Sequence, residues 1–152
     1  MKTSPSGIAF IKSVEGLRLK AYQDSGGVWT IGYGRVVGVK EGMVITEAQA
    51  DAFLAEDIAM VERGVTSLVN IVLWPHEINA LVSFAFNVGT DIDADDKAKG
   101  LGDSTLLKLL NAEDRVGAAA ELAKWHHAGG KRVRGLLIRR LREALMFLGE
   151  TA

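Results

Sequence analysis

The 152-residue chain predicts an α+β fold, mainly helical, with a small β-hairpin lobe set after the first helix. Three observations carry this. Apolar residues recur at helical spacing over most of the chain, with start and stop residues in place. Residues 17 to 45 alternate instead and are punctuated by glycines. Hydrophobic content is 48%, enough for one compact core, and no repeat or low-complexity linker divides the chain.

In order, Ser4 followed by Pro5 reads as an N-cap and first-turn proline. They open a helix whose Ile8, Ile11 and Val14 share a face and which Gly16 ends, so Glu15 falls in its last turn. Between Leu17 and Val39 the alternation and the run Val28 to Tyr33 predict a twisted hairpin or three short strands, with Asp24 and Thr30 on its inner turns and edges. Thr46 and Gln49 make a capping box, after which Ala50, Phe53, Leu54, Ile58 and Val61 keep helical spacing. Pro75 at one end and Gly89 at the other bound a buried helix carrying Ile78, Leu81, Val82, Ala85 and Phe86. Ser104 caps a short helix through Leu110 and Asp114 another through Lys124, and a last helix runs from Lys131 to Leu148 before Gly149. The expected organisation is one domain, 1–152: a β lobe at about 17–45, a connecting helix at about 47–65, and a helical lobe at about 66–149 that includes the N-terminal helix. A cleft between the lobes would be lined by Glu15 on one side and by Asp24 and Thr30 on the other.

A net charge of −1 argues against a polycation built for nucleic acid. Without cysteine the fold rests on packing, as expected for a reducing cytoplasm. No run of roughly 18 apolar residues and no signal-peptide core occur, so unaided export or stable membrane insertion is not expected. Charge is uneven: seven basic residues and no acid stand between Lys124 and Arg142, and four aspartates between Asp91 and Asp96. The basic run suits an anionic polymer such as a cell wall; it equally suits a solvated helix face with one or two arginines paired to buried acids. The apolar residues of the last helix, Leu136, Leu137, Ile138, Leu141, Leu145, Phe147 and Leu148, read as core first and as a membrane-active face second.

Several motifs carry little. Asp91, Asp93 and Asp95 begin like a calcium loop, but Asp96 replaces the required glycine and Gly102 the closing glutamate. His126 and His127 lack a third zinc ligand at helical spacing, and Gly32-Tyr33-Gly34 lacks the later glycine of a dinucleotide fingerprint. Trp29, Trp74 and Trp125 read as core or cleft-edge aromatics. No metal or cofactor is expected.

What remains is a carboxylic acid, a second carboxylate and a hydroxyl in one stretch, Glu15, Asp24 and Thr30. Acetal cleavage needs one carboxyl to protonate the leaving oxygen and another to serve the nucleophilic side. Each residue also has a plain alternative. Glu15 at a helix C-terminus opposes the dipole and needs a cation, for which Arg18, Arg139 and Arg140 are candidates. Asp24 can make an Asx turn before Ser25-Gly26-Gly27, and Thr30 can be an ordinary strand residue.

The stretch SVEGLRLKAYQDSGGVWTIGYG, from Ser13 to Gly34, resembles the phage-type lysozymes, the endolysins of glycoside hydrolase family 24. Resemblance continues through Val44 to Val65, Asn79 to Gly89, Ser104 to Asp114 and Ala128 to Arg140, leaving only Thr90 to Asp103 unplaced. It implies a lysozyme-like fold and a muramidase that hydrolyses the β-1,4 bond between N-acetylmuramic acid and N-acetylglucosamine. Glu15 would be the general acid, and Asp24 with Thr30 would handle the attacking water; Gly34, Phe86, Asn87 and Ser104 would line the sugar subsites. Where the family often has a histidine, Arg35 stands here. The resemblance further implies a monomer that accumulates in the host cytoplasm and reaches the peptidoglycan in the periplasm through a holin-type pore. A lytic transglycosylase and a non-enzymatic, cationic membrane-disrupting protein are the alternatives.

Overall fold

The computed structural model describes residues 1–92 and 100–150; residues 93–99, most of the acidic segment, and 151–152 lie outside the described residues. The elements are α1 (Pro5–Glu15), β1 (Arg18–Gln23), β2 (Trp29–Gly32), α2 (Glu47–Leu68), α3 (Pro75–Val88), α4 (Thr105–Asn111), α5 (Arg115–Leu122), β3 (His127–Ala128), β4 (Lys131–Arg132) and α6 (Arg134–Phe147). This is the α+β arrangement the sequence predicts.

The axis of the core is α3, whose Ala80, Leu81, Val82 and Phe84 are fully buried. Its apolar residues spread around most of the helix circumference, so it cannot lie on a surface, and α1, α2 and α6 pack around it. Contact between α1 and α3 is close because Gly7 has no side chain: a β-carbon there would stand 2.5 Å from Asn79 Oδ1. Asn79 then locks the register, its Oδ1 accepting from the Ser4 N–H at 2.9 Å and its Nδ2 donating to Ser4 Oγ at 2.8 Å. Fixing the start of α1 in this way fixes where Glu15 emerges, three turns later.

The hairpin pairs β1 with β2 antiparallel, Tyr22 opposite Thr30 and Gln23 opposite Trp29. Rather than a full third strand, residues 43–45 return along β1 through the Ala21 N–H to Met43 O and Ile45 N–H to Leu19 O bonds, both 2.9 Å. Ala21, Ile31, Tyr33 and Ile45 bury against Ala50 and Leu54 of α2. Thr46 and Gln49 form the expected capping box at the head of that helix.

Two expectations change. The last helix begins at Arg134, not Lys131, because Gly129 and Gly130 take positive φ of 55° and 75° and turn the chain into a hairpin with His127 opposite Arg132. And α6 is not simply core: Phe147 is buried, whereas Ile138, Leu141, Leu145 and Leu148 are each 44–48% exposed along its outer side. The polar residues Arg139, Arg140 and Glu143 take the inward positions instead.

Candidate active site

Glu15 closes α1, and Arg139 of α6 reaches it, Nη1 donating to Glu15 Oε1 at 2.7 Å. The dipole argument required a cation at this position; Arg18 is not it, since its guanidinium lies 4.8 Å over the Tyr22 ring. Arg139 is 7% exposed and uses its other nitrogens on Glu143 Oε1 at 3.0 Å and Ser83 O at 3.1 Å. Arg140, 1% exposed, donates to Glu143 Oε2, to Asn87 Oδ1 and, at 3.0 Å, to Trp125 O. Its guanidinium also lies 4.9 Å over Phe84, which meets Trp125 edge-on at 5.3 Å. Glu143 is fully buried and accepts a further bond from Ser83 Oγ at 2.7 Å. Two carboxylates and two guanidiniums thus cancel inside the protein, the condition under which such charges can be buried at all. Burial draws the Arg140 guanidinium below its ordinary range, against the pull of Glu143.

The Glu15 side chain is 17% exposed and opens into a depression of about 490 Å³ lined also by Asn87, Leu136, Arg139 and Arg142. Its second oxygen faces Gly34, where a β-carbon would stand 3.8 Å from Oε2. Gly34 holds φ at +101°, a conformation that side chains rarely adopt, so a glycine keeps both the turn and the space beside the carboxyl. Gly34 and Phe86 together line a second hollow of about 180 Å³, with Arg35 and Asp57. Arg35, which stands where the family often has a histidine, bonds Glu56 at 3.0 Å and Asp57 at 2.9 Å through Nη1, and its guanidinium covers Phe53 at 4.6 Å. Burial raises the Asp57 carboxyl, Arg35 opposing it and Glu56 adding to it.

Asp24 and Thr30 belong to the hairpin and line neither depression. Both act on Val28. Asp24 Oδ1 accepts from the N–H groups of Gly26 (2.8 Å) and Val28 (2.9 Å), while Thr30 Oγ1 donates to Val28 O at 3.0 Å. Asp24 therefore does make the Asx turn, yet with one oxygen; its Oδ2 takes no bond among the described residues and the residue is exposed. Thr30 is 5% exposed.

Of the expected sugar-lining residues, Gly34, Phe86 and Asn87 border the depressions beside Glu15. Ser104 does not: it is 1% exposed, and its hydroxyl caps α4 by accepting from Leu107 N–H at 3.0 Å and donating to Leu101 O at 2.6 Å. Glu143 and Ser83 were missed. A glutamate four residues after Arg139 and three after Arg140 sits on the same helix face, a signal that was present in the sequence.

The family profile described as "Phage lysozyme" matches residues 12–143. The chain is 42% identical to the endolysin of Acyrthosiphon pisum secondary endosymbiont phage 1 over 97% of its own length and 98% of that protein's. With the endolysin of Salmonella phage P22 identity is 40%, covering 97% and 99%. Among solved structures, the active form of the P1 phage endolysin Lyz superposes with a TM-score of 0.85 at 28% identity, over 98% of this chain and 86% of that one. The secreted inactive form of the same endolysin gives only 0.63 at 26% identity, over 97% and 96%. With the profile covering residues 12–143 and relatives 40–42% identical over nearly the full length of both chains, the chain belongs to the phage lysozyme family.

Proposed function

We propose that Glu15 is the general acid of this muramidase and that Asp24, with the Thr30 hydroxyl, holds or deprotonates the attacking water. The protein is a glycoside hydrolase that breaks the β-1,4 bond between N-acetylmuramic acid and N-acetylglucosamine in peptidoglycan and so lyses the bacterial host. The observation that carries the assignment is the division of labour on Glu15: Oε1 is held by Arg139, and Oε2, on the side of Gly34, takes no hydrogen bond among the described residues. A carboxyl fixed at one oxygen and open at the other can present its proton in a single direction, which general acid catalysis requires. Sugar filling the depression excludes water from around Glu15, so its proton passes to the leaving oxygen rather than to solvent.

On the other side, Asp24 Oδ1 is fixed by two turn N–H groups, and Oδ2, which takes no bond among the described residues, is available for water. Thr30, tied to the same Val28, sets its hydroxyl oxygen at a constant offset from that carboxylate. Closer likeness to the active than to the inactive P1 form supports a chain arranged for catalysis. Family membership favours hydrolysis over the transglycosylase and membrane-disrupting alternatives. As a monomer, released to the periplasm by a holin-type pore, the enzyme would act from within the infected cell; no described helix is long and apolar enough to cross a membrane.

The test is Glu15→Gln. It keeps the Oε1 acceptor for Arg139 and removes the proton donor, so clearing of permeabilised Gram-negative cells should fall by at least about a hundredfold. Undiminished clearing overturns the assignment. Products carrying a new reducing end, one water heavier than 1,6-anhydro sugars, separate hydrolysis from transglycosylation.

A further inference from the structure

Three arginines stand close together on α6, and two are fully engaged. Arg142 is different. It is half-buried and makes no ion pair among the described residues, its guanidinium instead lying 4.8 Å over the ring of Phe10. It also lines two depressions at once. One is the cavity holding Glu15; the other, of about 510 Å³, is bounded by Ser6, Ser13, His76, Asn79 and Glu150. A partly desolvated guanidinium, steadied by an aromatic face and lacking an acid, is a preformed receptor for an anion.

The bond cleaved here supplies the anion. The sugar rings of the glycan are neutral, but each N-acetylmuramic acid carries on its lactyl group a short peptide with free carboxylates, next to the cleavage point. We infer that Arg142 binds a carboxylate of that stem peptide, and that the depression between α1 and α6 is the peptide subsite of the enzyme. This rests on the muramidase reading above. The guanidinium fork matches a carboxylate in two-bond geometry, and no carboxylate of the described residues stands within ion-pair distance of it. The exposed Ser6 hydroxyl, which lines the same depression, can add a hydrogen bond. Glu150 also lines it and repels anions, so the carboxylate is drawn to Arg142. Because Arg142 borders both depressions, a peptide bound there holds its own sugar in the Glu15 cavity.

The test compares Arg142→Gln with the wild-type protein on intact peptidoglycan and on glycan strands stripped of stems by an amidase. The expected result is a fall of about tenfold in the ratio of kcat/KM, intact to stripped, entering through KM. Arg142→Lys, which keeps a cation, should retain part of the ratio, and thermal midpoints check that both variants fold. A wild-type ratio in Arg142→Gln, or an equal loss on both substrates, overturns the inference while leaving the muramidase reading intact. If the wild-type protein releases no reducing ends from either substrate, the muramidase reading itself fails. Should stripped strands resist the wild-type enzyme, KM on intact wall is the readout, and an unchanged KM in Arg142→Gln overturns the inference.

Discussion

Arg139 Nη1 lies 2.7 Å from Glu15 Oε1, joining the last residue of α1 to the middle of α6 across 124 positions of sequence. The same guanidinium holds Glu143, so the proposed acid shares its counter-ion with a carboxylate that is completely buried.

Replacing Arg139 by Met removes the cation that holds Glu15 Oε1, so the carboxyl loses its fixed direction and turnover should fall. Glu143 loses a partner in the same step, a loss on the order of 3–5 kcal/mol for a broken buried pair. Turnover and denaturant midpoints check both; wild-type turnover with unaltered stability would exclude Arg139 as the group that positions Glu15. Arg140→Met, which leaves the bond to Glu15 in place, should cost stability and lower turnover less.

Glu143→Gln keeps an acceptor but removes the buried negative charge. Arg139 and Arg140 are then left under-compensated beside Glu15. The fold should lose stability, and turnover should fall more than binding of intact wall. Wild-type turnover in a destabilised variant would show that Glu143 serves packing alone.

Asp24→Asn separates charge from turn. Asparagine keeps the Oδ1 acceptor used by Gly26 and Val28, so the thermal midpoint should stay within a few degrees, a change below ~1 kcal/mol. Turnover should fall at least about a hundredfold if the carboxylate activates water. Asp24→Ala, which removes the acceptor as well, should lose stability in addition. Full turnover by the Asn variant would reduce Asp24 to a turn residue.

Glu62 gives an independent test of the fold's acid limit. Although burial pushes its carboxyl up, the Thr3 N–H at 2.7 Å and Lys2 Nζ at 2.9 Å pull it below the ordinary carboxylate value. The folded chain therefore binds this proton less readily than the unfolded chain, and stability from Glu62 is complete above the ordinary value and is lost as pH falls through the folded one. Glu62→Gln should cost about 1–3 kcal/mol near neutrality and progressively less in acid. An equal cost at pH 7 and pH 3 would contradict the linkage.

The local sequence was enough for the helix starts at Ser4, Thr46, Pro75, Ser104 and Asp114, because side-chain caps satisfy orphan N–H groups within three residues of themselves and a first-turn proline has no N–H to satisfy. It also placed Glu15 in the last turn of its helix and Asp24 and Thr30 on one hairpin, since each follows from short-range punctuation. The boundary at Lys131 was missed for the converse reason. An arginine- and leucine-rich run reads as helix from its first residue, and only the pairing of His127 with Arg132 shows that the chain turns first. Which arginine meets Glu15, which pair with Glu143 and which is left facing a cavity depended on the angle at which α6 crosses α1 and α3. That angle is set by packing around Phe84, Leu81 and Phe147, a long-range quantity no window of sequence contains. Ser104 shows the same limit at one residue: its role as a cap was legible in the sequence, whereas its burial away from the depressions is a product of tertiary packing.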